Sequence, residues 1–248
     1  MTNTRMDTPL STRKQNIAQH FTNADNYNHY ATVQANICDI LVSKINQPHQ
    51  NAVLEIGAGQ GLLTQKLSQQ ITADSWHINE LCAEHKNRLQ AILPQAHIHI
   101  ADAEHLTPIV SRLTKNSPIA SQKELFSLII SASAIQWFDQ PLGFIAQSAE
   151  ALQTGGQLLF NTFTPNNFKQ IRQLTGQGLD YPTIEQWENQ LIKHNFEIIE
   201  ISTHLYELEF DSPLAVLKHV KQTGVSVNTD KSFHWTKSSL AKFIKDYQ

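Results

Sequence analysis

A chain of 248 residues with 19 Lys+Arg against 22 Asp+Glu, a net charge of -3 and two cysteines is long enough to bury a core without disulfides or metals. Its pI near 6.4 sets it apart from broadly basic nucleic-acid binders, whose domains usually exceed a pI of about 9. A mean hydropathy of -0.34 and the lack of an apolar run of about 20 residues exclude a membrane helix, and without a secretory signal at the N-terminus the expectation is a cytoplasmic protein.

The polar residues 1–10 predict no element. From 11 to about 44, apolar side chains recur at helical spacing: Ile17 and Phe21, then Val33, Ile37, Ile40, Leu41 and Ile45. Two helices are expected, parted near the Asn-rich stretch 23–28. The apolar run 52–56 reads as a strand and breaks directly into Gly57-Ala58-Gly59-Gln60-Gly61, followed by a helix with Leu62, Leu63 and Leu67 on one face. Strand and helix then alternate. Strands are expected at 75–78, 97–101, 126–131 and 157–163, and helices at 83–93, stopped by Pro94, and at 143–152. Thr154-Gly155-Gly156 reads as the turn before the last of these strands. Around Pro108 and Pro118 the alternation lapses, so 105–124 is a long loop or a short inserted helix. Beyond 163, helices are expected at 168–174, 184–194, 213–222 and 237–247, with one long or two short strands at 196–210. Alternating units of this kind predict a Rossmann-like doubly wound α/β fold, a mostly parallel sheet with helices on both faces. The chain reads as one domain over 1–248: an N-terminal helical lid over 1–45, a core over 50–163 and a helical and strand cap over 164–248.

Glycines at alternate positions let a chain turn tightly after a strand and let a ligand approach the main chain. No Gly-Lys-Ser/Thr follows, so this is not a Walker loop. Glu80, after Asn79, closes the second strand 19 positions beyond Gly61, and Asp102 closes the third, 22 positions further on. An acid about 20 residues past such a loop suits ribose hydroxyls. Parallel strands deliver their carboxyl ends to one edge of the sheet, so Glu55, Glu80 and Asp102 together point to a nucleoside ligand with hydroxyl and amino donors. Singly, each acid would serve equally as a helix cap. Cys38 and Cys82 sit in no Cys-x-x-Cys motif or Cys/His cluster of zinc spacing. His97, His99 and His105 lack the carboxylate or thiol that completes a ligand set, and no metal is expected.

On these residues the chain resembles the class I S-adenosylmethionine-dependent methyltransferases. Glu55 with Gly57, Ala58, Gly59 and Gly61 is similar to their first motif, Asn79 and Glu80 to the ribose-binding step, and Asp102 and Ala103 to the adenine-binding step. The segment 126–137, Ser131 included, is similar to the fourth-strand motif, with Ser127 where an Asp is usual, and 152–160 to the lead into the fifth strand. The resemblance implies S-adenosylmethionine as cofactor, S-adenosylhomocysteine as product, and these residues as the cofactor site.

Flanking segments carry a finer likeness. Phe21-Thr-Asn-Ala-Asp-Asn-Tyr27 with Ala31 and Gln34, Ala134-Ile-Gln-Trp137, Phe168-Lys-Gln-Ile-Arg172 with Gly178-Leu-Asp-Tyr181, and Leu217-Lys-His-Val-Lys-Gln-Thr-Gly224 are similar to segments of the malonyl-acyl-carrier-protein O-methyltransferases of biotin synthesis. That resemblance implies methylation of the free malonyl carboxylate, carried on acyl carrier protein or coenzyme A. It makes Arg172 a guanidinium fork for the carboxylate and Tyr27 a lid over the methyl. Trp137 and Phe138 become walls of the acyl channel, and Lys218 and Lys221 contacts for an acidic carrier. A solvated arginine, packing aromatics and a solvated helix face are the competing accounts. The chain departs from the family in a longer 105–124 loop and in stopping where a last hydrophobic strand is normal. Two other readings stay open: a related methyltransferase of another small carboxylate or a quinone precursor, and a non-catalytic S-adenosylmethionine-binding scaffold. Nucleic-acid methylation is disfavoured by the absence of a Pro-Pro-Tyr/Phe motif.

Overall fold

The apolar run that predicts the first strand becomes its centre. In a computed structural model that describes residues 10–22, 32–106, 125–222 and 235–247, strand β1 spans His49–Ile56. Val53, Leu54 and Ile56 are wholly buried, as a central parallel strand covered on both faces requires. Helices α1 (Thr12–Thr22) and α2 (Thr32–Ser43) precede it. After it come α3 (Leu62–Gln70), β2 (Thr72–Glu80), a 3-10 turn at Ala83–His85 that runs into α4 (Lys86–Ile92), β3 (His97–Ile100), β4 (Phe126–Ser131), α5 (Gly143–Ala151) and β5 (Leu152–Phe160). Helices α6 (Lys169–Thr175), α7 (Ile184–Lys193), α8 (Pro213–Gln222) and α9 (Lys237–Asp246) follow. The predicted break at 23–28 and nearly all of the 105–124 segment lie outside the described residues.

All five strands pair in parallel, in the order β3-β2-β1-β4-β5. The fold is a Rossmann-like doubly wound α/β sheet. Period-two alternation divides the core between its faces. Val53, Leu128 and Ile130 pack with Ile37, Cys38 and Leu41 of α2, Leu63 and Leu67 of α3, and Leu89 of α4. Leu54, Ile56 and Ile129 pack with Phe144 and Ile145 of α5 and with Trp187 and Leu191 of α7. Helix α7 starts on a capping box between Thr183 and Gln186, and its Trp187 and Leu191, one turn apart, form the buried stripe. Ser127, where the fourth-strand motif usually has Asp, stitches β4 to β1: its Oγ accepts from the Ala52 N–H and donates to the Ala52 carbonyl.

Two expectations change. The turn expected at 154–156 lies within β5 as an irregularity. Phe126 pairs with Leu152 but Leu128 with Gln157, and Gly155 takes φ +74° to absorb the extra residues. The strands expected at 196–210 are not formed among the described residues. That run has the alternation of a strand: Phe196 and Ile198 pack on one core cluster and Tyr206 on the other, while Ile199 and Leu205 point to solvent. Alternation alone does not make a strand, because the main chain also needs a ladder partner. No helix among the described residues is long and apolar enough to cross a membrane.

Candidate active site

β1 and β4 are neighbours, yet the chain leaves β1 toward β2 and returns to β4 from the other side. This reversal opens a crevice at the carboxyl ends of the strands. The glycine loop forms its floor. Gly57, Gly59 and Gly61 have φ of +66°, +55° and +88°, a left-handed region that other residues rarely adopt. A side chain at Gly57 would place its Cβ 2.4 Å from Cβ of Ala134, so the loop after β1 and the loop after β4 touch there. A Cβ at Gly59, which lines the cleft, would meet nothing within 4 Å beyond its chain neighbours and would stand in open space.

The acids take different states. Glu80 accepts from the Gly59 N–H at 2.7 Å, from the Cys82 N–H at 2.8 Å and from His85 Nδ1 at 3.3 Å. Burial pushes its carboxyl up, but the His85, Cys82 and Gly59 donors outweigh this and hold it below the usual range. Glu55 is also buried, with only Thr64 donating to it, from Oγ1 at 2.8 Å and from its N–H, and no partner at Oε1. Burial, with a smaller push from the charge of Glu80, raises its carboxyl to about 8. The Cys38 thiol beside it is pushed up to about 12 by burial and by Glu55. Asn79 ties three strands together: its Oδ1 accepts from the Gly57 N–H and its Nδ2 donates to the Ala101 carbonyl at 2.8 Å.

Asp102 has a partner the sequence did not reveal. Lys14 of α1, 3% exposed, reaches Asp102 Oδ1 at 2.7 Å and Glu104 Oε2 at 2.5 Å, with its ammonium 5.1 Å from the centre of the Phe138 ring. Glu104 in turn accepts from the Asp139 and Gln140 N–H groups. Lys14, Ile17 and Phe21 fall on one helical stripe and all line the cleft. Around them, Ile17 packs with Trp137 and Leu179, Phe21 meets Trp137 edge-on at 5.4 Å, and Arg13 pairs with Asp139. A lysine inside an apolar stripe was the available signal, and it reads easily as the edge of a solvated face.

Glu55, Gly57, Ala58, Gly59, Asn79, Glu80, Asp102, Ala103, Trp137 and Phe138 all line this one cleft. Gly61 caps α3 behind it, against Ile92 and Leu89. Ser131 is wholly buried and spends its hydroxyl on the Ile56 carbonyl at 3.1 Å, fastening β4 to β1 rather than lining the cleft. Arg172 is not brought into the cleft lining either. Its guanidinium donates to Asp180 at 2.6 Å and to the carbonyl of Leu179. Tyr27 lies outside the described residues. Lys218 is exposed on α8, and the side chain of Lys221 is likewise outside the description.

Although the sequence places Cys82 in no Cys/His cluster, a ligand atom from each of Glu80, Cys82 and His85 lies within 4.8 Å of the others. These donors are already engaged. Both Glu80 oxygens accept N–H groups, and Cys82 Sγ donates to the Ala18 carbonyl on α1. His97 and His99 instead gather at His77, with ring centres 5.0 and 5.2 Å from its own, and His77 Nδ1 is 3.0 Å from His99 Nε2. Chemically, the cleft combines a floor that admits close main-chain approach, an ionised acid suited to paired hydroxyls, and an apolar wall from α1 and the 3-10 turn at Ile135–Trp137.

A family model described as a methyltransferase domain matches residues 27–201. The chain is 38% identical, over 98% of its length and 88% of the relative, to the malonyl-[acyl-carrier protein] O-methyltransferase of Haemophilus influenzae. The protein of the same name from Haemophilus ducreyi is 38% identical over 95% of this chain and 88% of its own. In structure the chain is similar to the N-methyltransferase NodS of Bradyrhizobium japonicum, solved in complex with S-adenosylhomocysteine. The TM-score is 0.52 at 16% identity, over 74% of this chain and 86% of that one, a likeness of fold. A methyltransferase model over most of the sequence, with nearly full-length relatives of one name, leaves one conclusion: the chain belongs to the malonyl-[acyl-carrier protein] O-methyltransferase family.

Proposed function

We propose that this chain transfers the methyl group of S-adenosylmethionine to the free carboxylate of malonyl-acyl carrier protein, forming the malonyl methyl ester for biotin synthesis. The nearly full-length likeness to the Haemophilus influenzae protein carries this reading. The cleft fits the cofactor. Glu80 is held ionised for ribose hydroxyls, and Asp102 offers a carboxylate to an exocyclic amine. Glu55 Oε1 is a buried oxygen without a partner beside the glycine floor.

When bound, S-adenosylmethionine supplies a methyl group activated on a sulfonium. The malonyl carboxylate is already ionised near pH 7, so no general base is required. Transfer would join the methyl carbon to a carboxylate oxygen and leave the C–S electron pair on sulfur, so the chain's residues need move no proton. The protein's work is positioning, which can supply roughly 7 to 11 kcal/mol of a barrier. Gly57 and Gly59 leave room at the floor. Ile17, Phe21, Trp137 and Phe138 wall the acyl side and keep water out. Arg172 acts at one remove, holding the Leu179–Asp180 corner whose Leu179 backs Trp137. Tyr27 completes the lid, and exposed Lys218 steers the acidic carrier.

The test is methyl transfer from labelled S-adenosylmethionine to malonyl-, succinyl- and acetyl-carrier protein. Base-labile label on the malonyl form alone is expected. Intact cofactor binding without label on any form would overturn the assignment in favour of a scaffold.

A further inference from the structure

Ser133 combines three features that packing alone leaves unexplained. It takes φ +53° without being glycine. Both of its main-chain polar groups are gripped by side chains: its N–H donates to Asn161 Oδ1 at 2.8 Å, and its carbonyl accepts from Gln136 Nε2 at 2.7 Å. Gln136 is itself buried, and the Asn161 N–H is anchored on the Ser131 carbonyl. Yet the hydroxyl held by this frame is buried with no hydrogen-bond partner. Strained residues persist only where their surroundings over-determine them, and they gather at ligand sites. Buried polar atoms without a partner call for a ligand or another explanation.

Its position selects the ligand. Ser133 lines the cleft between Ala132 and Ala134, and Ala134 touches the floor at Gly57. It therefore stands on the β4 side, across from the β2 and β3 acids Glu80 and Asp102, and next to the aromatic wall of Trp137 and Phe138. It carries the one hydroxyl among the described cleft-lining residues. Resting on the proposed reaction, we infer that the Ser133 hydroxyl donates to one oxygen of the acyl substrate's reacting carboxylate, and that Asn161 and Gln136 are positioning residues that aim it. A guanidinium fork engages both oxygens of a carboxylate and ties up the nucleophile. A single neutral donor fixes one oxygen and leaves the other free for the methyl carbon. Arg172, engaged by Asp180, stands outside the cleft lining, in keeping with this division.

The experiment compares wild type, Ser133→Ala and Ser133→Gly. Three quantities are measured: the kinetics with malonyl-acyl carrier protein and, by calorimetry, the binding of S-adenosylhomocysteine and the binding of that carrier protein in its presence. Both variants should lose about 10- to 100-fold in kcat/KM, the scale of one hydrogen bond to a charged group. Both should bind the malonyl carrier more weakly, with S-adenosylhomocysteine affinity within about twofold of wild type. The glycine variant separates hydroxyl from backbone, because glycine adopts φ +53° freely. Glycine at wild-type level with alanine impaired would show a conformational role and overturn the inference, as would wild-type activity in both variants. Failure of the wild type itself to methylate the malonyl carrier would instead overturn the proposed function, and this inference with it.

Discussion

Two buried groups on adjacent central strands resist charge in opposite directions. His77 on β2 lies beside the rings of His97 and His99, with Ser75 at its Nε2 and Phe126 in edge contact nearby. Burial, then the charges of His99 and His97, push it down from 6.5 to about 3. Between those values the unfolded chain binds a proton that the folded protein refuses. The stabilisation is complete above pH 6.5 and is lost as pH falls toward 3, by up to about 1.4 kcal/mol per pH unit for one proton. Glu55 behaves oppositely. Its carboxyl stands at about 8 against an ordinary 4.5, so its contribution is complete below 4.5 and is lost as pH rises through 8. His77→Gln removes the first titration and keeps an uncharged polar group. On going from pH 7 to pH 4 the urea midpoint should move toward higher urea in that variant relative to its movement in wild type, whatever the absolute stability, because the Glu55 gain is no longer offset by the His77 loss. An equal movement in the two proteins would acquit His77.

At the scale of elements, the N-terminal helix is held to the carboxyl edge of the sheet by a buried lysine as well as by its apolar stripe. Lys14 is the cation for two carboxylates, Asp102 and Glu104, and its side chain is only 4% exposed. Removing one partner of a buried pair leaves the others uncompensated and costs about 3 to 5 kcal/mol. Asp102 retains some solvent, so Lys14→Met should cost about 3 kcal/mol, the low end of that range. It should also expose α1 to limited proteolysis within 12–22 well before the core is cut. Unchanged protection of that segment would show that Ile17 and Phe21 suffice to hold it. This contact marks the limit of what the sequence discloses. Strand cores, the glycine turn and the acids Glu80 and Asp102 are legible because each is a local pattern whose period or spacing sets its place. Lys14, the hydroxyl of Ser133 and the engagement of Arg172 by Asp180 depend on which distant segments come together, and no local period encodes that. The run 196–210 shows the converse: its alternation is legible, but no ladder forms along it among the described residues, and alternation does not encode a pairing partner.

At the scale of the molecule, every adjacent pair in the sheet is parallel, so no two neighbouring strands close through a tight turn. The pair that matters most is the farthest apart. β1 and β4, whose ends bear the glycine loop and Ser133, meet through contacts 75 residues apart in the chain, such as Ala52 with Ser127. Joining distant segments sacrifices loop entropy before any contact compensates it, and sheets of this kind form slowly. Helices need only local contacts and return sooner. During refolding from urea, far-ultraviolet ellipticity should therefore recover in an earlier phase than binding of a fluorescent S-adenosylhomocysteine analogue. Simultaneous recovery of both signals would contradict this order. Because its two sides come from opposite ends of the longest closure in the sheet, the cleft is among the last features to exist on the way to the native state, and a newly made chain gains its ligand only when the rest of its folding is done.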